Sequence, residues 1–212
     1  MKITYQRLLI TALAVTLFIA AQPVSAGDMN KIEYYNLAVD CANAGNFEEA
    51  LSAADSAIAI DENFTLAYTT KAGILNAMGR YDEALESAGK ATEIRPDQPE
   101  GWVNMASALI GLERYEEAIE ASESAIKADP ESVEGYITKG TALGELGRYD
   151  EEIAVSEKAL RISPGDSHAL ANKGYAEEMS GGEKNTEKSP VTLPFVVTGV
   201  IIAGILFCLR KK

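Results

Sequence analysis

The chain has 212 residues, enough for one ordinary domain with appendages, and its 32 Asp and Glu against 19 Lys and Arg leave a net charge of −13. All the acids fall between Gly27 and Ser189, where 14 Lys and Arg face 32 acidic residues and leave −18. No basic stripe is available to displace phosphate counterions, so nucleic acid and anionic lipid headgroups are disfavoured as partners; the acids either solvate a soluble surface or address a basic partner.

At the N-terminal end Lys2 and Arg7 precede an apolar run from Leu8 to Ala21, then Pro23-Val24-Ser25-Ala26. A basic start, a short apolar stretch and small residues at 24 and 26 read as a secretory signal peptide over 1–26, with cleavage expected after Ala26 and an uncleaved anchor as the alternative. Cysteine occurs only at Cys41 and Cys208, so the region between the ends has a single thiol and no intrachain disulfide framework.

The middle of the chain repeats itself. Gly45-Asn46-Phe47-Glu48-Glu49-Ala50-Leu51, Gly79-Arg80-Tyr81-Asp82-Glu83-Ala84-Leu85, Glu113-Arg114-Tyr115-Glu116-Glu117-Ala118-Ile119 and Gly147-Arg148-Tyr149-Asp150-Glu151-Glu152-Ile153 begin 34 residues apart each time. On that anchor the units are 31–64, 65–98, 99–132 and 133–166. Position 4 holds Tyr34, Tyr68, Trp102 and Tyr136; position 8 holds Ala38, Ala72, Ala106 and Gly140; position 27 holds Ala57, Ala91, Ala125 and Ala159. Apolar residues at three- and four-residue spacing on both sides of the central turn predict two amphipathic helices per unit, each pair exposing an apolar face that only a neighbour can cover. Two positions depart from the pattern. Glu62 stands where the later units have Pro96, Pro130 and Pro164, which softens the turn into the second unit, and Glu152 stands where the other units have a small residue. A buried unpaired carboxylate is costly, so Glu152 is expected to reach water past Gly140 and Gly144.

These residues resemble the tetratricopeptide repeat family over four units in phase. The resemblance implies an all-α fold, a right-handed α-solenoid of four helix-turn-helix repeats. A capping helix with a polar outer face is expected over 167–180, a flexible stalk over 181–190, where Gly181-Gly182 breaks the period, and a single transmembrane helix over 191–209. Val191 to Leu209 is an almost unbroken apolar run of the length a bilayer core requires, and Arg210-Lys211-Lys212 after it form a basic tail that the positive-inside rule keeps cytoplasmic. Both ends therefore predict a cell-membrane protein with a single span and an extracytoplasmic N-terminal domain.

No catalytic constellation, metal cluster or cofactor fingerprint stands out. His168 is the only histidine and no cysteine lies near it. The predicted activity is binding. In the family the first helices line a concave groove, and here position 6 gives Asn36, Thr70, Asn104, Thr138 and, from the cap, Asn172. Asn donates and accepts at once, so a ladder of them at repeat spacing suits an extended peptide backbone, although short polar residues can equally do no more than solvate a wall. Tyr35, Thr69, Val103 and Ile137 lie beside the ladder, with Asn43, Asn76 and Ile110 further along. The groove lacks Lys and Arg, and the positions of the family's two-carboxylate clamp hold Tyr35, Val39, Thr70, Glu100 and Asn104, so a chaperone tail is disfavoured as its ligand. Asn63-Phe64-Thr65 matches the N-glycosylation acceptor. The expected function is a membrane-anchored scaffold that holds a partner protein or peptide, with a self-associating, homo-oligomeric component of the cell envelope as the alternative.

Overall fold

The computed structural model describes residues 29–187; the expected signal peptide and the apolar run 191–209 lie outside the described residues. Nine helices follow one another, and the described residues contain no strand: α1 (Lys31–Asn43), α2 (Phe47–Ile60), α3 (Thr65–Ala77), α4 (Tyr81–Ile94), α5 (Pro99–Gly111), α6 (Tyr115–Ala128), α7 (Val133–Glu145), α8 (Tyr149–Ile162) and α9 (Ser167–Glu187). Among them no helix is long and apolar enough to cross a membrane.

The turn inside each repeat has a local cause. Gly45, Gly79 and Gly147 have φ of +79°, +73° and +71°, the left-handed conformation that glycine adopts without a Cβ clash. Each forms a Schellman closure: Gly79 N–H donates to Asn76 O and Arg80 N–H to Leu75 O, and the same pair of bonds recurs at Gly45-Asn46 and Gly147-Arg148. In the third repeat Glu113 takes this place at φ +60° and makes the same bonds, through Glu113 N–H to Ile110 O and Arg114 N–H to Leu109 O. The helix pair is so closely specified by its surroundings that it imposes the conformation on a residue that disfavours it.

Small residues let the helices approach. Ala38, Ala50, Ala54, Ala72, Ala84, Ala88, Ala106 and Ala118 are all fully buried, and Leu75 and Leu143 are the largest apolar side chains completely removed from water. Consecutive first helices (α1, α3, α5, α7, α9) touch one another, whereas consecutive second helices do not, so the stack curves with the first helices on its inner wall.

Four details differ from the sequence expectation or refine it. Glu62 leaves the end of α2 unchanged, since α2 stops at Ile60 as α4, α6 and α8 stop at the equivalent Ile94, Ala128 and Ile162; there Asp61 pairs with Lys31 and accepts Asn63 N–H. Glu152 does not reach water. It is 2% exposed, Oε2 has no hydrogen-bond partner among the described residues, and a Cβ on Gly144 would stand 2.6 Å from that oxygen. Gly144 thus makes room for the carboxyl group in the core instead of opening a path outward, and burial, with Glu145 nearby, raises its pKa to about 7. The last helix does not stop at Ser180 but runs to Glu187, into the segment expected to be a stalk. The two glycines there do not end it, because a glycine inside a helix costs only about 1 kcal/mol. Nor is its outer face wholly polar, as a cap would require: Leu170, Tyr175 and Met179 are exposed, continuing the first-helix pattern with no second helix over them among the described residues.

Candidate functional site: an acidic cavity in the concave groove

Two amides of the expected ladder, Asn104 and Asn172, and Asn76 further along, tie the inner wall together. Asn104 Nδ2 on α5 donates to Thr69 O on α3 at 3.0 Å, and Asn76 Nδ2 on α3 donates back to Asn104 O at 3.0 Å. Asn172 Nδ2 on α9 donates to Ile137 O and Thr141 Oγ1 on α7, both at 3.2 Å. Side-chain donors at these positions therefore join one first helix to the next, which fixes the wall and leaves each amide less to offer a ligand. Asn172 has both N–H groups engaged; Asn104 keeps one, and its Oδ1. Asn76 Oδ1 is buried without a partner among the described residues.

The hydroxyls of Thr138 in the ladder and Thr69 beside it are also occupied. Thr138 Oγ1 donates back to Glu134 O at 3.0 Å and meets Ser122 Oγ on α6 at 2.9 Å, and Thr69 Oγ1 donates to Thr65 O at 3.0 Å. Thr70 is half-buried. Tyr35 packs edge-on against Phe64 with ring centroids 5.7 Å apart, and Ile110 packs against the core between the third and fourth repeats. Ile137 is half-buried, and Asn36 and Asn43 are exposed on α1. Asn63 is exposed in the turn between the first two repeats, where an acceptor asparagine must lie to be modified.

Three of the expected groove residues meet at one place. Thr69, Val103 and Asn104 line an open cavity of about 450 Å³ at the N-terminal ends of α5 and α7, together with the apolar Pro99 and Val133, Ser132, and the acidic Glu100, Asp129, Glu131 and Glu134. Pro99 and Ser132 begin the two helices: proline fits the first helical position, and Ser132 Oγ caps α7 by accepting Gly135 N–H at 3.2 Å. Asp129 Oδ1 accepts Glu131 N–H at 2.9 Å, which sets the turn leading into α7. The remaining ladder residues line other parts of the wall and are not brought to this cavity.

Models of the tetratricopeptide repeat match residues 42–110 and 75–138, and a further one matches 133–166, so the matches run unbroken from 42 to 166. The chain belongs to the tetratricopeptide repeat family. Solved structures of similar shape include the crystal structure of MamA protein (TM-score 0.60, 22% identity, 78% of this chain and 97% of that one) and MamA from residue 41 of Desulfovibrio magneticus RS-1 (TM-score 0.62, 20% identity, 74% and 89%). YrrB, described as a TPR protein with an unusual peptide-binding site, matches with a TM-score of 0.57 at 21% identity over 73% of this chain and 80% of that one. At these identities the likeness is one of fold. No curated protein matches the sequence.

Two of the cavity's acids stand at positions that the repeat frame itself turns toward the groove. Glu100 and Glu134 occupy position 2 of their repeats, which also faces the groove, so their part in the cavity had a signal in the sequence. Asp129 and Glu131 lie in the turn before α7 and follow no helical register, so only the folded turn brings them to the same cavity.

Proposed function

We propose that this tetratricopeptide repeat protein is a membrane-anchored, extracytoplasmic scaffold that holds an extended segment of a partner protein in its concave groove. The observation that carries the reading is the cavity at Thr69, Val103 and Asn104, where apolar side chains, free amide atoms and open access coincide on the inner wall. Solenoids of this kind use such curved surfaces for binding, and YrrB, of the same fold, has a peptide-binding site. The anchoring and orientation rest on the sequence of the two ends, which combine a signal-like start with a span-length apolar run and a basic tail. On that orientation Asn63 faces the side where glycosylation occurs, in a host that carries it out.

A photo-crosslinking amino acid at Val103 in the full chain, in its native membranes, should trap a discrete partner, and one at Ser52 on the outer surface should not. Equal trapping at both positions, or none at Val103, counts against the groove. Protease added to intact cells should degrade the repeat region; protection would reverse the orientation. Self-association is favoured by the apolar residues left exposed at the two ends of the stack, Ile32 and Leu37 on α1 and Leu170, Tyr175 and Met179 on α9. Sedimentation of the full chain in detergent that is monomeric at every concentration would remove that second reading.

A further inference from the structure

The groove cavity carries a charge that the rest of the repeat frame does not dictate. Glu100, Asp129, Glu131 and Glu134 line it beside the apolar Pro99, Val103 and Val133, and none of the four forms an ion pair among the described residues. Six cations of the neighbouring repeats are engaged elsewhere, Lys71 with Asp55, Lys139 with Glu123 and Lys173 with Glu157 across adjacent helices, Arg80, Arg114 and Arg148 with Glu83, Glu117 and Glu151 within the turns, while Lys127 in the last turn of α6 forms no ion pair among the described residues.

One repeat earlier, the same four positions hold Leu66, Arg95, Asp97 and Glu100, and Arg95 Nε pairs with Asp97 Oδ1 at 2.9 Å. There the Arg95–Asp97 pair cancels two charges and leaves Glu100 as the one unpaired acid, so the set of four carboxylates belongs to this one cavity and not to the fold. Nor does the set suit a metal ion, because among the described residues no three His, Cys, Asp or Glu side chains are grouped closely enough to hold one. Charge spread beside apolar side chains is complementary to a ligand whose positive charges are spread as well.

We propose that the occupant of this cavity is a basic extended peptide segment, placing an apolar side chain against Pro99, Val103 and Val133 and flanking Lys or Arg side chains against Glu100, Glu134 and the Asp129–Glu131 turn. This names the partner chemistry for the groove and rests on the groove being the binding surface. Desolvated Lys or Arg heads against the acids fix the register, and the apolar side chains take the anchor.

The test uses the full-length protein in a non-ionic detergent and two fluorescein-labelled peptides, one alternating Lys and Val, the other with Glu in place of every Lys. Fluorescence anisotropy should show binding of the lysine peptide, weakened by salt, and none of the glutamate peptide. The double variant Glu100→Gln with Glu134→Gln should lose about tenfold or more in affinity. Glu62→Gln with Glu93→Gln removes the same charge at a site outside the groove and should change affinity less than about twofold. Equal loss in both double variants would reduce the effect to bulk charge and overturn the proposal, as would absent binding of the lysine peptide or equal binding of the glutamate one. If the lysine peptide fails while crosslinking at Val103 still traps a partner, the basic ligand is wrong and the groove stands; if crosslinking fails too, the groove itself is wrong.

Discussion

The third and fourth repeats have the same backbone frame and fill it in opposite ways. Where their first and second helices cross, the third repeat pairs Ile110 with Ala118, large against small, and the fourth pairs Gly144 with Glu152, small against large. Ala118 is fully buried and Glu152 is 2% exposed, so the second-helix side of each crossing is closed to water. The fold therefore requires a certain volume at this contact but not that a given side supply it, and it tolerates a carboxyl group there when the opposing residue is glycine. The tolerance has a cost in polarity, because Glu152 Oε2 and the neighbouring Ser156 Oγ are buried without a partner among the described residues, whereas Ser122 in the third repeat bonds both Ala118 O and Thr138 Oγ1.

The sharpest way to break the comparison is to overfill the fourth crossing. Gly144→Ile, with Glu152 retained, should destabilise the protein by about 3 kcal/mol in urea unfolding, because even a Cβ at that site meets the carboxyl group. Adding Glu152→Ala recreates the pair of the third repeat and should restore most of the loss. Strict additivity of the two changes would show that the residues do not share the space.

The charge of Glu152 gives the next effect. Its pKa is about 7 in the folded protein against 4.5 as the ordinary value, so the native state holds a proton that the unfolded chain releases earlier. This contribution to stability is fully present below pH 4.5 and is lost as pH rises through 7, an amount on the order of 3 kcal/mol. Glu152→Gln should flatten the fall in stability between pH 5 and pH 8, and an unchanged pH profile would mean that the carboxyl group finds water in solution.

Smaller differences separate the two repeats on the inner wall and in the turn. Asn104 reaches across to Thr69 O while Thr138 bonds its own helix at Glu134 O, so Asn104→Ala should cost about 1 kcal/mol of stability. The exposed Asn36, changed to Ala, should cost close to nothing. A ligand effect of Asn104→Ala must be read after that correction. In the turn, Glu113 at φ +60° has the place that Gly147 has at +71°, and Glu113→Gly should stabilise by about 1 kcal/mol or less, measured as a higher urea midpoint. No gain would mean that the glycine's greater freedom in the unfolded chain offsets the relieved strain.

What could be read from the sequence follows from how local each feature is. The helix pairs and their order were readable because a period of 34 residues, a glycine at the turn and an alanine stripe act within one repeat and its neighbour. Of the positions expected to face the groove, Thr69, Val103 and Asn104 line one cavity. The use of the amides was not, because whether Asn104 donates to a ligand or to Thr69 O depends on the distance between two helices, and register alone carries no distance.

By itself, then, the sequence determined the repeat, the all-α stack, the surplus of acid and the absence of a histidine or cysteine cluster, all properties of composition and short-range periodicity. Tertiary structure decided that Glu152 is shut away from water, that the last helix passes Ser180 with an apolar face left open, and that four acids from two helices and a turn line one cavity. These depend on residues far apart in the chain arriving at the same point, which only the packing of one repeat on the next brings about.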